Sequence, residues 1–234
     1  MGLLPSLVQV MILAKIYSRL KPRPPCFEWS DFMIEIKTQQ EFDTIFATGT
    51  SMPSNELIRI FPLEGGGEYI TEGIEITKSN VIIEGINKPK IKQNTTATDK
   101  DIILIQGTDT TIGNVRENIV IRGLHLIGGK DHDDEATGQH GIFIENCGFA
   151  QTTGLTSGTY SRYNSSTVGV DKPNKIGVRI ENCIIEDCLQ YGIYLSSSSN
   201  NTITGNTIQN NGNHGIYLDS SNNNTITGNT IQNN

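Results

Sequence analysis

An acidic run between residues 131 and 135 carries the side chains best suited to metal chemistry in this sequence. It reads Asp131-His-Asp-Asp-Glu and lies in an inserted segment, Gly128–Gln139. Carboxylate oxygens are the ligands that calcium prefers, so Asp131, Asp133 and Asp134 are candidate calcium ligands. The alternative is a solvated acidic turn, which we favour. We therefore predict no cofactor, and calcium is the one metal that this loop could hold.

Two carboxylates and a histidine could support cleavage of a glycosidic bond. Glu145 and Glu181 both occur in the sequence Ile-Glu-Asn-Cys, and glycoside hydrolysis uses a pair of carboxyl groups. His132 or His140 could carry a proton. A long insertion, Phe149–Lys175, separates the two glutamates, so their relative register does not follow from the sequence. Whether the protein is an enzyme therefore stays open.

Aromatic residues recur at one position of a repeated segment. Tyr194 and Tyr217 stand 23 residues apart in identical Gly-Ile-Tyr-Leu runs, and Phe143 takes the same place in Gly141-Ile-Phe-Ile. Aromatic side chains with polar tips suit the apolar face of a sugar ring. The alternative is that they only stabilise neighbouring strands. We predict these three residues as a carbohydrate-binding surface, with both interpretations open.

The charge balance excludes one class of partner. The formal net charge is −7 and the pI is about 5.1. Binding to a phosphate backbone needs a basic face, so we predict no nucleic-acid partner.

The four cysteines do not have the spacing of a zinc site. They are Cys26, Cys147, Cys183 and Cys188. Four cysteines are too few for a disulfide framework that stabilises a chain of 234 residues. We predict that they are small buried residues. The disulfide state of Cys147, Cys183 and Cys188 stays open.

Residues 1–30 differ in character from the rest of the chain. An apolar stretch from Leu3 to Ala14 is followed by basic residues and prolines, and it is too interrupted for a membrane span. We predict a leader, disordered segment or anchor over 1–30 and a single domain over 31–234.

A repeat at the C-terminal end of the sequence determines the predicted fold. The segment from Gly192 to Asn211 recurs from Gly215 to Asn234, with differences only at Ser196/Asp219 and Ser199/Asn222. Short β-type runs alternate with Asn, Ser and Gly, so each repeat holds three short strands bounded by turns. The sequence therefore predicts a right-handed parallel β-helix, an all-β solenoid with about 23 residues per coil.

Alternation along these strands predicts which side chains are buried. Ile193, Leu195, Ile203 and Ile208 should point inward, and Tyr194 and the threonines outward. The recurrent asparagines Asn201, Asn206 and Asn210 are predicted at the corners, where Asn tolerates a left-handed conformation and its amides can form ladders.

The N-terminal part of the domain carries a degenerate version of this pattern. Strand-forming runs occur at 57–61, 69–76, 81–86 and 101–105. Thr38-Gln-Gln-Glu is a capping box, which predicts a short helix that covers the N-terminal end of the coil. At the other end the array stops in mid-period at Asn234. An open edge of parallel strands predicts self-association through the last coil, or further coils that continue the array.

These motifs resemble the pectin-lyase-like superfamily, and within it the right-handed β-helix repeat proteins grouped with the periplasmic protein NosD. The resemblance covers about 34–234 and rests on Leu57-Ile-Arg-Ile-Phe-Pro, Gly65-Gly-Gly-Glu-Tyr, Val81-Ile-Ile-Glu-Gly and the Asn-Thr-Ile-Thr-Gly-Asn-Thr-Ile repeats. It implies the fold, but the superfamily includes lyases, hydrolases, epimerases, tailspikes and non-catalytic surface proteins.

The sequence departs from each catalytic pattern of that superfamily. His140-Gly-Ile-Phe-Ile stands where a polygalacturonase-like chain would have aspartates. Tyr194-Leu-Ser follows Tyr191-Gly-Ile where an epimerase would have Asp-Pro-His. The copper role associated with NosD implies soft ligands, yet all four methionines precede residue 53, outside the repeats.

The function favoured by the sequence is a non-catalytic β-helix that contacts a polysaccharide or other glycan. The expected location is extracellular, at a cell surface or in the periplasm. Two alternatives stay open: a lyase, hydrolase or epimerase that acts on acidic polysaccharide, and a structural scaffold or adhesin.

Overall fold

The computed structural model describes residues 33–46, 56–94, 100–107, 116–129, 140–148, 164–165, 170–171 and 177–234. The predicted leader over 1–30 lies outside these residues. Strands of two to six residues occupy much of the described chain, together with one helix, α1 (Gln39–Phe46).

The strands are short because a corner follows each of them. In the N-terminal half they are β1 (Met33–Ile36), β2 (Glu56–Ile60), β3 (Glu68–Thr71), β4 (Ile74–Ile76), β5 (Val81–Gly85), β6 (Lys90–Gln93), β7 (Ile103–Gln106), β8 (Ile119–Arg122) and β9 (His125–Ile127). In the C-terminal half they are β10 (Ile142–Glu145), β11 (Asn164–Ser165), β12 (Val170–Asp171), β13 (Val178–Glu181), β14 (Ile184–Glu186), β15 (Tyr191–Ser196), β16 (Thr202–Thr204), β17 (Thr207–Gln209), β18 (His214–Asp219), β19 (Thr225–Thr227) and β20 (Thr230–Gln232).

Three parallel sheets run along the length of a right-handed β-helix. The seven-stranded sheet has the order β1-β2-β5-β8-β13-β16-β19, the six-stranded sheet β20-β17-β14-β9-β6-β3, and the five-stranded sheet β18-β15-β10-β7-β4. Only β11 and β12 pair antiparallel, as a separate ribbon among the described residues. From β4 onward each coil contributes one strand to each sheet, and in the last coils partners lie 23 residues apart. The predicted fold and period are confirmed.

Stacked aliphatic side chains fill the interior of the helix. In the seven-stranded sheet Ile58 lies over Ile83, then Ile121, Ile180 and Ile203, and each is fully buried. This column arises because alternate residues of a strand point inward and successive coils keep one register. Burying each side chain is worth about 1.5–3 kcal/mol.

The interior prediction is also confirmed for the coil before the last. Ile193, Leu195, Ile203 and Ile208 are all fully buried. Ile203 pairs with Ile226, as predicted from the repeat.

Each corner consists of two residues with different tasks. The first has a positive φ, as at Asn182, Asn210 and Gly205, and so turns the chain sharply. The residue that follows it points inward. Asn tolerates the left-handed conformation best among non-glycine residues, which explains why so many corners begin with it.

In the C-terminal coils, the inward residue of a corner forms a ladder with the coil before it. Asn206 accepts a hydrogen bond at Oδ1 from the backbone N–H of Cys183 (2.9 Å), and its Nδ2 donates to the carbonyl of Ile180 (3.0 Å). Asn229 does the same for Asn206 and Ile203 in the next coil. A buried backbone group without a hydrogen-bond partner costs free energy of folding. The ladder supplies that partner, so the corners can be buried away from water.

The sequence prediction for the asparagines is correct in part. Asn210 has a positive φ of 59°, but Asn201 and Asn206 do not occupy the left-handed region. Those two residues supply the buried ladder, together with Asn211, and all three are 1% exposed. The residue before each of them, such as Asn200 or Gly205, makes the turn.

Three cysteines occupy the inward corner positions that Ser198, Asn206 and Asn211 occupy one coil later. Cys147, Cys183 and Cys188 are buried, as predicted, and none of the three forms a disulfide. The Sγ atom of Cys147 lies 3.4 Å from the carbonyl of Ile105, in the donor position that the hydroxyl of Ser198 takes toward Ile144 one coil later. The thiols are therefore small donors within the ladder.

The predicted helix covers one end of the core. In its capping box, Thr38 Oγ1 accepts from the N–H of Glu41, and Glu41 Oε2 accepts from the N–H of Thr38, both at 3.2 Å. Phe42 is buried and stacks on Tyr69, with 4.9 Å between ring centroids. The capping prediction is confirmed.

One predicted strand is in fact two. The run 69–76 divides between β3 and β4, which belong to different sheets. The break is at Gly73, whose φ of 132° and whose contact with the carbonyl of Asp101 leave little room for a side chain. The sequence predicted one continuous strand because β-forming residues occur on both sides of this corner.

Oppositely charged residues alternate on the outer surface of the seven-stranded sheet. Arg59 Nε and Arg122 Nη2 each lie 2.8 Å from the carboxylate of Glu84, on the strand between them. Arg179 pairs with Glu181 farther along the same sheet. The hydrogen bond from Arg59 is the main cause that lowers the pKa of Glu84. The charges of this face are therefore largely neutralised by one another.

We expect Asn206→Ala to lower the free energy of unfolding by about 1–3 kcal/mol, because the N–H of Cys183 loses its buried acceptor. Asn213→Ala is the matched control, since that side chain is exposed. Urea unfolding of the two variants and the parent protein measures the difference. Equal stability of the two variants would contradict a role for the ladder in the fold.

Candidate functional site

The three aromatic residues singled out in the sequence lie on the outer surface of the five-stranded sheet. Phe143 on β10 pairs in register with Tyr194 on β15, which pairs with Tyr217 on β18. They share a column because each follows an inward isoleucine on its strand. The ring centroids of Phe143 and Tyr194 are 4.7 Å apart with 4° between their planes, and those of Tyr194 and Tyr217 are 5.4 Å apart.

A second aromatic column, which the sequence analysis missed, runs beside the first. Tyr191 stacks on His140 at 4.9 Å and on His214 at 5.5 Å, with planes within 11° and 6° of parallel. Tyr191 also meets the rings of Tyr194 and Tyr217 at 5.4 and 4.9 Å. The signal was present in the sequence, since Tyr191 and His214 precede the repeated Gly-Ile-Tyr-Leu runs at equal positions.

We call these six residues the aromatic face: His140, Phe143, Tyr191, Tyr194, His214 and Tyr217. The rings of the face pack against one another, so ring edges and hydroxyl groups are what much of it presents to solvent. Tyr191 lies between His140 and His214, and Tyr194 lies between Phe143 and Tyr217. Aromatic pairs of this kind stabilise by about 0.5–1.5 kcal/mol beyond their buried area. The face is therefore both a stabilising element and a rigid surface.

A polar column borders the aromatic face. Glu145, Ser196 and Asp219 lie in register, two residues beyond Phe143, Tyr194 and Tyr217 on the same strands. Gln106 on β7 continues the column, and its Nε2 donates to Glu145 Oε2 at 2.6 Å. Burial, together with the negative charge of Asp219, raises the pKa of Tyr194, so its phenol remains a neutral hydrogen-bonding group.

Two titratable groups at the edge of the face have unusual pKa values. Burial raises the pKa of Asp101 to about 7 and lowers that of His140 to about 4. Asp101 Oδ1 accepts a hydrogen bond from the N–H of His140 at 2.9 Å, and His140 Nδ1 accepts one from the N–H of Tyr191 at 3.3 Å. His140 is 7% exposed and neutral at physiological pH, so it is a poor proton carrier there.

The other predicted residues do not form a site with this face. Glu145 is in the five-stranded sheet and Glu181 in the seven-stranded sheet, so the two carboxylates project from different sides of the coil. The calcium candidates Asp131, Asp133 and Asp134, and His132 beside them, lie outside the described residues. Their role stays a prediction.

The described residues do not fit the copper role that the resemblance implies. Burial raises the pKa of the Cys147 thiol to about 12 and that of Cys183 to about 11, whereas soft metals bind the thiolate. Two other potential copper ligands already have partners within the protein. His125 Nε2 lies 2.6 Å from Glu186 Oε1, and Met33 Sδ accepts a hydrogen bond from Arg59. In the part of the chain that the structure describes, no three His, Cys, Asp or Glu side chains are grouped to hold a metal.

The described part of the chain contains no helix with the length and apolar character needed to cross a membrane.

Comparisons with known proteins agree with this fold. The family model described as periplasmic copper-binding protein (NosD) matches residues 60–234. Among solved structures, ORF18 of Geobacillus virus E2 is similar with a TM-score of 0.52 and 14% identity. That match covers 97% of this chain and 40% of the viral protein, so the chain spans about two fifths of its length and shares the fold alone. No curated protein matches the chain. The family model extends over most of the coils described above, and the chain therefore belongs to the NosD family of right-handed β-helix proteins.

Proposed function

We propose that this protein is a non-catalytic β-helix that binds a glycan along the aromatic face of the five-stranded sheet. The observation that carries the proposal is the ordered array of six rings with a polar column beside it. Tyrosine combines a large apolar body with a hydroxyl group and has little conformational entropy to lose on binding. A surface that is already ordered before it meets a ligand loses less free energy on association.

The packing of the rings indicates how a sugar would contact this face. The neighbouring rings occupy much of the faces of Tyr191 and Tyr194, so sugar hydroxyls would meet phenol groups and ring edges. The polar column adds carboxylate, hydroxyl and amide groups from Glu145, Ser196 and Gln106. Hydrogen bonds from sugar hydroxyls to these groups would set the orientation of the chain.

The proposed location is the periplasm, a cell surface or the extracellular space. The matching family is described as periplasmic, and such locations expose a protein to glycans.

An enzyme that cleaves or modifies polysaccharide is the second candidate function, and Asp101 is the observation that favours it. A carboxyl group whose pKa is about 7 can donate and accept protons near neutral pH. Glycoside hydrolysis needs a pair of carboxyl groups across the substrate. The pair predicted from the sequence, Glu145 and Glu181, projects from different sheets, and Oδ1 of Asp101 is already engaged by the backbone N–H of His140. The non-catalytic function is therefore preferred.

The triple variant Tyr191→Phe, Tyr194→Phe and Tyr217→Phe tests the proposal, because it removes three hydroxyl groups and keeps the ring stacking. We expect its affinity for the bound glycan to fall at least about tenfold, since each lost hydrogen bond contributes about 0.5–1.5 kcal/mol. Its melting midpoint should change little. A glycan array identifies the ligand for the parent protein, and titration calorimetry measures the affinities.

The matched control is Thr202→Val, Thr207→Val and Thr225→Val, which removes three hydroxyl groups from the other two sheets. It should bind as the parent does. A glycan affinity of the tyrosine variant equal to that of the parent protein would refute the proposed binding site. Shortened or unsaturated products would favour the enzyme, and the absence of any glycan ligand would favour a scaffold or adhesin.

We also propose that the 234-residue chain self-associates through its last coil, with a second copy as the partner. Ile226 and Ile231 are 41% and 49% exposed, whereas Ile203 and Ile208, their equivalents one coil earlier, are fully buried. Among the described residues, the strands of this coil, β18, β19 and β20, each pair on one side only. Unpaired strand edges next to apolar side chains are a template for association.

Sedimentation velocity over a concentration series tests this association. We expect a mass that rises with concentration for the parent chain and a monomer for Ile226→Lys with Ile231→Lys, because edge lysines oppose strand pairing. A parent chain that stays monomeric throughout the series would refute the proposal.

A further inference from the structure

The three outer surfaces of the β-helix differ in the sign of their charges. Lysine and arginine occur on the strands of the other two sheets, where Arg59 and Arg122 pair with Glu84, and Lys92 lies 3.8 Å from Glu68. The strands of the five-stranded sheet contain no lysine or arginine within the described ranges. Their charged outward residues are the carboxylates Glu75, Glu145 and Asp219.

These carboxylates stand close to the aromatic face. Glu75 precedes Leu104 and Phe143 in the first aromatic column, and Glu145 and Asp219 belong to the polar column beside it. Glu145 and Asp219 are two strands apart, which corresponds to roughly 10 Å between their backbones. The charge of Asp219 reaches the phenol of Tyr194, where it contributes to the raised pKa. The negative charge is therefore part of the proposed binding surface.

Both carboxylates of the polar column keep capacity for further hydrogen bonds. Glu145 accepts from Gln106 through Oε2, and Asp219 accepts from the hydroxyl of Ser220 through Oδ1 at 3.0 Å. An ionised carboxylate has about four lone-pair positions, so neither group is saturated by one donor. Among the described residues, neither carboxylate forms an ion pair with a lysine or arginine, unlike Glu84, which lies 2.8 Å from both Arg59 and Arg122.

A surface with this charge pattern discriminates between classes of glycan. A uronate polymer would bring like charges against Glu75, Glu145 and Asp219 with no lysine or arginine on the same strands to offset them. Protonated amines on a sugar chain would instead form charge-assisted hydrogen bonds with these carboxylates. Charge complementarity therefore selects against acidic polysaccharide, the substrate class that the enzyme alternative assumed.

We infer that the ligand of the aromatic face is a glycan that carries amino groups, bound through the phenols of Tyr191 and Tyr194 and through the carboxylates of Glu145 and Asp219. This inference rests on the proposed glycan-binding function. It adds the chemical class of the ligand and the residues that select it.

Three oligosaccharide probes of equal length test the inference: glucosamine oligomers, the same oligomers fully N-acetylated, and oligogalacturonate. Titration in 0.15 M salt reduces long-range attraction between surface charges. We expect the parent protein to bind the amine-bearing oligomer at least fivefold more tightly than its N-acetylated counterpart, and oligogalacturonate least tightly. Glu145→Gln with Asp219→Asn should remove the preference for the amine, because it lowers the affinity for the amine-bearing oligomer far more than that for the N-acetylated oligomer.

Glu64→Gln with Glu68→Gln is the matched control, because it removes the same charge from positions outside the five-stranded sheet. It should keep the preference for the amine. An equal loss of preference in both double variants would mean attraction to net charge alone and would overturn the inference. So would binding of oligogalacturonate that is as tight as that of the amine, although glycan binding itself would then stand. Failure of every glycan, including uncharged glucans, would refute the proposed function and this inference together.

Discussion

The corners of the C-terminal coils depend on one hydrogen bond, from a backbone N–H of one coil to a side-chain oxygen of the next. A left-handed residue turns the chain and directs the following side chain inward, where Asn201, Asn206 and Asn211 accept from the coil before them. Three corners per coil would otherwise bury backbone donors without partners, at about 1–3 kcal/mol each. In the C-terminal coils the ladder satisfies these donors, and the strands between the corners keep the isoleucine columns in register.

The same register produces the aromatic face. Once inward residues stack coil over coil, outward residues at equal positions must also stack, so Phe143, Tyr194 and Tyr217 form a column. The chemistry of each outer surface is then determined by which residue types recur there. Alternating charges neutralise one another on the seven-stranded sheet, whereas tyrosines and unpaired carboxylates accumulate on the five-stranded sheet. The scaffold and the proposed binding surface thus follow from one constraint.

The sequence predicts the fold well where coils repeat and less well where they do not. The spacing from Ile203 to Ile226 specifies register directly, and the capping box specifies the helix. The corner at Gly73 was missed because strand-forming residues flank it on both sides. The distinction between Asn200, which turns the chain, and Asn201, which forms the ladder, depends on backbone angles that neighbouring asparagines do not reveal. Tyr191 and His140 were not recognised as a pair, because an insertion separates their coils in the sequence.

Native-state hydrogen exchange at the corners tests most directly whether the ladder holds the coils together. The amides of Val178, Cys183 and Cys188 donate to ladder asparagines at 2.7–3.0 Å in the interior. The account predicts that these amides exchange only through global unfolding, with the same protection as the strand amides of Ile121 and Ile180. Fast exchange at these corners, beside slow exchange in the strands, would contradict it, because the corners would then open without loss of the coil.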